Sequence, residues 1–157
     1  MRLTRFSTFK TDGLVQNCLN GRQKWIVAFH HLCSFRPFTQ NHEEFVTVKA
    51  VQEFCEYLID YASLWHFEFF EKISLVAEQS QHSYARAYPQ LVANLENSLH
   101  AILDFNDKYQ VNRELNELEK DLSGLAEKMA QRLEWEDKLL SSYTWARAWP
   151  LKTLKSA

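Results

Sequence analysis

The sequence is poor in the residues that make turns. Its 157 residues include only three glycines and three prolines. Because these two residue types supply many tight turns and chain breaks, their scarcity predicts few turns and therefore long secondary-structure elements. Apolar residues make up 46% of the chain and charged residues 24%, which is ordinary for a globular protein. We expect a single domain with its own hydrophobic core.

The chain also lacks a strong charge of either sign. The chain contains 18 lysines and arginines and 20 aspartates and glutamates, which gives a net charge of −2. A protein that grips a phosphate backbone needs a positive surface, so we do not expect direct nucleic-acid binding. Apolar runs are only a few residues long, too short to span a membrane or to form a signal peptide. We expect a cytoplasmic protein.

Motifs that carry catalysis or bind metals are missing as well. The sequence has no Cys-x-x-Cys pair, no zinc-ligand spacing, no Glu-x-x-His, no glycine-rich phosphate loop and no Gly-x-Ser-x-Gly. Cys18, Cys33 and Cys55 each fall on the apolar face of a predicted helix, which is typical of buried, reduced thiols. We therefore predict no cofactor, no metal and no enzymatic activity.

What the sequence does contain is helical periodicity. Apolar residues recur at steps of three and four over residues 14–35, 48–76, 83–106 and 112–143. Thr47 and Asn112 are the predicted N-caps of the second and fourth helices, and Pro89 must open or kink the third. Four helices with one apolar face each predict an all-α fold, an antiparallel four-helix bundle. The stretch from Trp145 to Trp149 extends the last helix or covers another surface.

The second helix has an aromatic residue on its polar side. At about 100° per residue, Phe67 lies opposite an apolar stripe that contains His66. The residues around Phe67 are mostly acidic: Glu53, Glu56, Asp60, Ser63, Leu64 and Glu71. Single exposed apolar residues are common, but an aromatic ring with a polar rim is typical of a docking anchor. Phe67 is therefore part of a partner-binding surface, or it packs under a loop or the C-terminal tail.

The fourth helix has a carboxylate on its apolar side. Glu136 falls in the middle of the stripe, with Asp137 at its margin, and a carboxylate facing a core must find a partner or stay protonated. His66 and Arg22 also face inward on the predicted helices. We predict an interior polar cluster drawn from His66, Glu136, Arg22 and Asp137. It is a structural hydrogen-bonded network or a pocket for a ligand or metal.

Three stretches together resemble a known family. They are "FCEYLIDYASLWHFEFFEKI" (54–73), "YPQLVANLENSL" (88–99) and "AQRLEWEDKLL" (130–140). In this order and spacing they resemble the Rsd/AlgQ family, regulators of the primary sigma factor in gamma-proteobacteria. The matching residues are Phe54, Cys55, Leu58, Asp60, Tyr61, Ser63, His66 and Phe67, then Pro89, Gln90, Leu91, Ala93 and Asn94, then Glu136, Asp137, Lys138 and Leu139.

The resemblance implies an all-α four-helix bundle without enzymatic activity. It also implies binding to the C-terminal region of the primary (housekeeping) sigma factor, which recognises the −35 promoter element, so that sigma is kept from core RNA polymerase. Some members are also described as binding the phosphocarrier protein HPr. Phe67 would anchor the basic sigma domain, framed by Asp60, Ser63 and Glu71. This chain departs from the family at Gln16, Asn17 and Cys18, which replace an acidic-Arg-Trp run, so we expect weaker or altered binding.

Overall fold

The computed structural model describes residues 13–38, 44–72, 83–111 and 113–148. These residues form four α-helices: α1 (Gly13–Cys33), α2 (Glu44–Leu64), α3 (Ser83–Tyr109) and α4 (Leu118–Ala148). A π-helical turn, Trp65–Phe69, follows α2 directly. The described part of the chain contains no strand, so the prediction of an all-α bundle is confirmed.

Neighbouring helices pack in chain order, α1 on α2, α2 on α3 and α3 on α4. In the first half of α2, the side-chain amide of Gln52 donates to the carbonyl of Gln110 just beyond α3, at 3.2 Å. After the other end of α2, the carbonyl of Phe70 accepts from the Tyr88 hydroxyl near the start of α3, at 3.5 Å. The chain direction therefore reverses between these two helices.

Aromatic rings fill much of the core. Phe54 of α2 packs edge-on against Phe105 of α3, with ring centroids 5.8 Å apart. Phe69 packs in the same way against Tyr143 of α4, at 5.3 Å. Burying a side chain of this size contributes about 2–3 kcal/mol, and well-arranged ring pairs add about 1 kcal/mol. These contacts join α2 to α3, and the π-helical turn to α4, at two separate levels of the bundle.

Two predicted helix starts differ from the structure. Helix α2 begins at Glu44, so Thr47 lies inside it, 6% exposed, and the N-cap prediction is wrong. Extending an existing helix by one turn costs less free energy than nucleating a new one, which explains why α2 begins before residue 48. Helix α4 begins at Leu118, six residues later than predicted, and Asn112 lies outside the described residues. Pro89 lies within α3, beyond its first turn.

The predicted continuous second helix is also interrupted. In the π-helical turn the N–H of Phe70 donates to the carbonyl of Trp65, five residues earlier. Trp65 consequently packs against both Phe69 and Phe70, with centroid distances of 4.4 and 6.0 Å. In a regular α-helix a residue five positions on would point about 140° away. The π turn therefore keeps Phe70 near the core, and residues 73–76 of the predicted helix lie outside the described residues.

Candidate functional site

The residues predicted to bind a partner lie along one side of α2 and the turn that follows. We call this surface the acidic face: Glu53, Glu56, Asp60, Ser63, Leu64, Phe67 and Glu71. The Phe67 side chain is 77% exposed, the carboxylates are exposed, and Ser63 and Leu64 are half-buried. The other six residues fall within about 60° of Phe67 on a regular helical wheel.

The local sequence explains why Phe67 points to solvent. Trp65 and Phe69 on either side of it are fully buried, at 0% exposure. Their rings anchor the π turn to the core, so the intervening residue must face away. Covering an exposed phenylalanine with a partner is worth about 1.5–3 kcal/mol. The acidic face therefore holds an apolar contact point within a negatively charged rim.

A second group of polar side chains lies inside the bundle, centred on Glu136, which is 0% exposed. Its Oε2 accepts hydrogen bonds from the hydroxyl of Tyr61 and from Nη2 of Arg22, the latter at 3.1 Å. Its Oε1 accepts from Nε of Arg132 at 2.6 Å. Arg22 also binds Asp137 at the surface, at 2.7 Å. The structure thus brings Arg22, Glu136 and Asp137 together.

Arg132 extends this polar network to α3. The side chain is 0% exposed, and its Nη1 donates to the Leu95 carbonyl at 3.0 Å and to Ser98 Oγ at 2.8 Å. With Arg22 on α1, Tyr61 on α2 and Glu136 on α4, the network joins all four helices. Such an arrangement fixes the position of each helix relative to the others.

Burial and charge control the protonation of the network. Burial raises the pKa of Glu136 above its ordinary value, while Arg132, Tyr61 and Arg22 act in the opposite direction. Burial and then the adjacent Glu136 charge raise the pKa of Tyr61 well above its ordinary value, so its hydroxyl remains a donor. The pKa of Arg22 is also raised; burial opposes this, but Tyr61, Asp137 and Glu136 outweigh it.

His66 does not take part in the hydrogen bonds of this network. Among the residues that the structure describes, its buried Nε2 has no hydrogen-bond partner, and its ring packs edge-on against Phe70 at 4.9 Å. Both oxygens of Glu136 are already occupied by other donors. Burial, and then the positive charge of Arg132, lower the pKa of His66 to about 4, so the imidazole is neutral near pH 7.

The interpretation of the cluster as a metal site gains no support. Within the described ranges, no group of three or more His, Cys, Asp or Glu side chains is placed to hold a metal ion. The same ranges include no helix with the length and apolarity needed to cross a membrane.

Sequence reasoning overlooked two members of the network. Arg132 lies three residues after Met129 and four before Glu136, so the helical wheel that picked out Glu136 also places Arg132 near the apolar stripe. The sequence motif contains Tyr61 but does not predict that its hydroxyl pairs with Glu136. That pairing depends on how α2 and α4 pack, which no single-helix pattern contains. The stretch from Trp145 to Trp149 has no described side chains.

The fold and the two groups of residues define a class of protein. It is a helical bundle with an internal polar network and an exposed aromatic ring among carboxylates, an arrangement suited to binding another protein. The chain belongs to the family described as "Regulator of RNA polymerase sigma(70) subunit, Rsd/AlgQ", whose sequence profile matches residues 5–144. This is a family of regulatory proteins rather than enzymes.

Curated relatives agree with this assignment. The chain is 31% identical over 137 residues to the "Regulator of sigma D" of Enterobacter sp. (strain 638), covering 83% of this chain and 80% of that protein. It is 31% identical over 139 residues to the protein of the same name from Shigella boydii serotype 4 (strain Sb227), covering 83% of each. The Escherichia coli (strain K12 / DH10B) protein of that name is 30% identical over 139 residues.

Proposed function

We propose that this protein binds the primary sigma factor of RNA polymerase through the acidic face and keeps it from core polymerase. The observation that carries the proposal is the exposure of Phe67, 77%, among the carboxylates of α2. Membership of a family described as regulators of the sigma(70) subunit supports the choice of partner.

The region of sigma that fits this surface is the C-terminal, −35-recognising domain. A DNA-binding domain carries positive charge for the phosphate backbone. Carboxylates at Glu53, Glu56 and Asp60 would raise its association rate, because complementary charges steer the encounter. Burial of the Phe67 ring would then slow dissociation. HPr stays a prediction of the family resemblance alone.

The test is the affinity of the purified full chain for the C-terminal domain of the primary sigma factor, measured by calorimetry. The variant Phe67→Ala should bind at least about tenfold more weakly, as expected for an aromatic anchor. Leu103→Ala on α3 is the control, since Leu103 is 39% exposed and lies off the acidic face. It should bind like the parent protein.

Three results would contradict the proposal. If the parent protein does not bind sigma, the proposed partner is wrong. If it binds sigma equally well when the C-terminal domain is deleted, the proposed partner region is wrong. If Phe67→Ala and Leu103→Ala bind equally well, the proposed surface is wrong. Helical content and melting temperature should be recorded for each variant so that unfolding is not mistaken for lost binding.

A further inference from the structure

A second exposed aromatic ring lies at the other end of α2. Phe45 is 80% exposed, slightly more than Phe67 at 77%. The second helix is predicted to begin at residue 48, after Phe45, whereas helix α2 begins at Glu44 and carries Phe45 in its first turn. Phe45 therefore has a defined position on the helix surface.

Phe45 and Phe67 lie on nearly the same side of α2. They are 22 residues apart, which in a regular helix corresponds to about 40° of rotation and about 33 Å along the axis. The π turn that contains Phe67 rotates less per residue and narrows this angle further. The two rings are thus the ends of one straight stripe.

Carboxylates occupy the stretch between the rings. Glu56 and Asp60 lie on the stripe, Glu53 lies at its edge, and all three are exposed. Lys49 is also exposed and places a positive charge one turn from Phe45. Among the side chains that the structure describes, the charge next to Phe45 on the stripe is therefore positive, and the Phe45 ring must supply most of the attraction at this end.

The stripe has the dimensions and chemistry of a single protein contact. About 33 Å is close to the diameter of a small domain. A partner that covers the stripe needs positive charge in the middle and an apolar pocket at each end. A small basic domain meets the charge requirement, whereas a second copy of this chain would bring carboxylates against carboxylates.

We propose that Phe45 is a second anchor for the same basic sigma domain, so that the partner is held at both ends of α2. This inference rests on the proposed function and adds a contact to it that lies outside the acidic face. Because the two rings are far apart and share no neighbours, their contributions to binding should be independent.

The experiment compares the parent protein with Phe45→Ala, Phe67→Ala, the double variant and the control Leu103→Ala. Affinity for the purified C-terminal sigma domain is measured by calorimetry at one salt concentration. Phe45→Ala should weaken binding by about tenfold, a typical loss for an interface aromatic. The loss of affinity in the double variant should equal the product of the losses in the two single variants, within about twofold.

The outcomes separate the two proposals. If Phe67→Ala weakens binding and Phe45→Ala matches Leu103→Ala, the second anchor is wrong while the proposed function stands. If the parent protein does not bind the domain, both are wrong. If Phe45→Ala instead shifts the sedimentation coefficient of the free protein from a dimer to a monomer and leaves sigma affinity unchanged, the ring serves contact between copies, and the inference is overturned.

Discussion

Glu136 shows how a buried charge is tolerated in this bundle. Its carboxylate is 0% exposed and receives hydrogen bonds from Tyr61, Arg22 and Arg132. These partners offset the desolvation cost of the buried carboxylate, whereas removal of one partner leaves an unsatisfied polar group. The network should therefore respond strongly to the loss of a single atom.

The substitution Tyr61→Phe removes one such atom. The phenylalanine ring keeps the packing of Tyr61 against Trp25 and Trp65 but cannot donate to Glu136. We expect the free energy of unfolding to fall by about 1–3 kcal/mol, the cost of an unsatisfied buried acceptor. Urea denaturation followed by circular dichroism measures this. Tyr57→Phe, on the half-buried Tyr57, should change stability by less than about 0.5 kcal/mol, and equal losses in both variants would contradict the role of the hydroxyl.

His66 should make stability depend on pH. Its pKa is lowered from 6.5 to about 4 in the folded protein, by burial and by Arg132. Between these two pH values the unfolded chain binds the additional proton, so acidification favours unfolding and this contribution is lost as pH falls toward 4. The melting temperature of the parent protein should therefore drop more between pH 7 and pH 4.5 than that of His66→Gln. If the melting temperatures of the two proteins fell equally over this pH range, the pKa of His66 would not be lowered in the folded protein.

The π turn after α2 determines three different environments for three phenylalanines. Phe67 is 77% exposed, Phe69 is 0% exposed, and Phe70 is half-buried against Trp65 and His66. A regular α-helix would turn Phe70 away from Trp65, as its position five residues later requires. Substitution of each residue by alanine therefore reports on the geometry of this element.

We expect the three alanine variants to form a graded series in chemical denaturation. Phe69→Ala should lose about 3–5 kcal/mol, as for a fully buried phenylalanine. Phe70→Ala should lose an intermediate amount, and Phe67→Ala should change stability by less than about 0.5 kcal/mol. If Phe70→Ala were as harmless as Phe67→Ala, Phe70 would not pack as the π turn places it.

Features that repeat along a single helix could be predicted from the sequence. Features that depend on the packing of two helices could not. Steps of three and four located all four helices, because amphipathic periodicity reflects burial of one face. The same wheel placed Phe67 on the solvent side and Glu136 inside. It could not show that Tyr61 and Arg132, rather than His66, pair with Glu136, since these contacts depend on packing between helices. The π turn was missed because it depends on how Trp65, Phe69 and Phe70 fit the core.

The whole molecule is nearly neutral, yet its charges are unevenly placed. The net charge is only −2, so the overall field is too weak to attract a basic partner from a distance. Glu53, Glu56 and Asp60 instead concentrate negative charge along one helix. Attraction should therefore act at short range, within the Debye length of about 8 Å at physiological salt. The acidic face should therefore speed association mainly during the final approach of the partner.

The last prediction follows from this distribution. The association rate of the C-terminal sigma domain, measured by surface plasmon resonance, should fall as salt rises from 50 to 500 mM, because screening weakens steering. The pair Glu53→Gln and Glu56→Gln should bind more slowly at low salt and depend less on salt, with a nearly unchanged dissociation rate. The control pair Glu127→Gln and Glu134→Gln removes the same charge from exposed positions on α4. If both pairs slow association equally, net charge rather than the acidic face steers the partner.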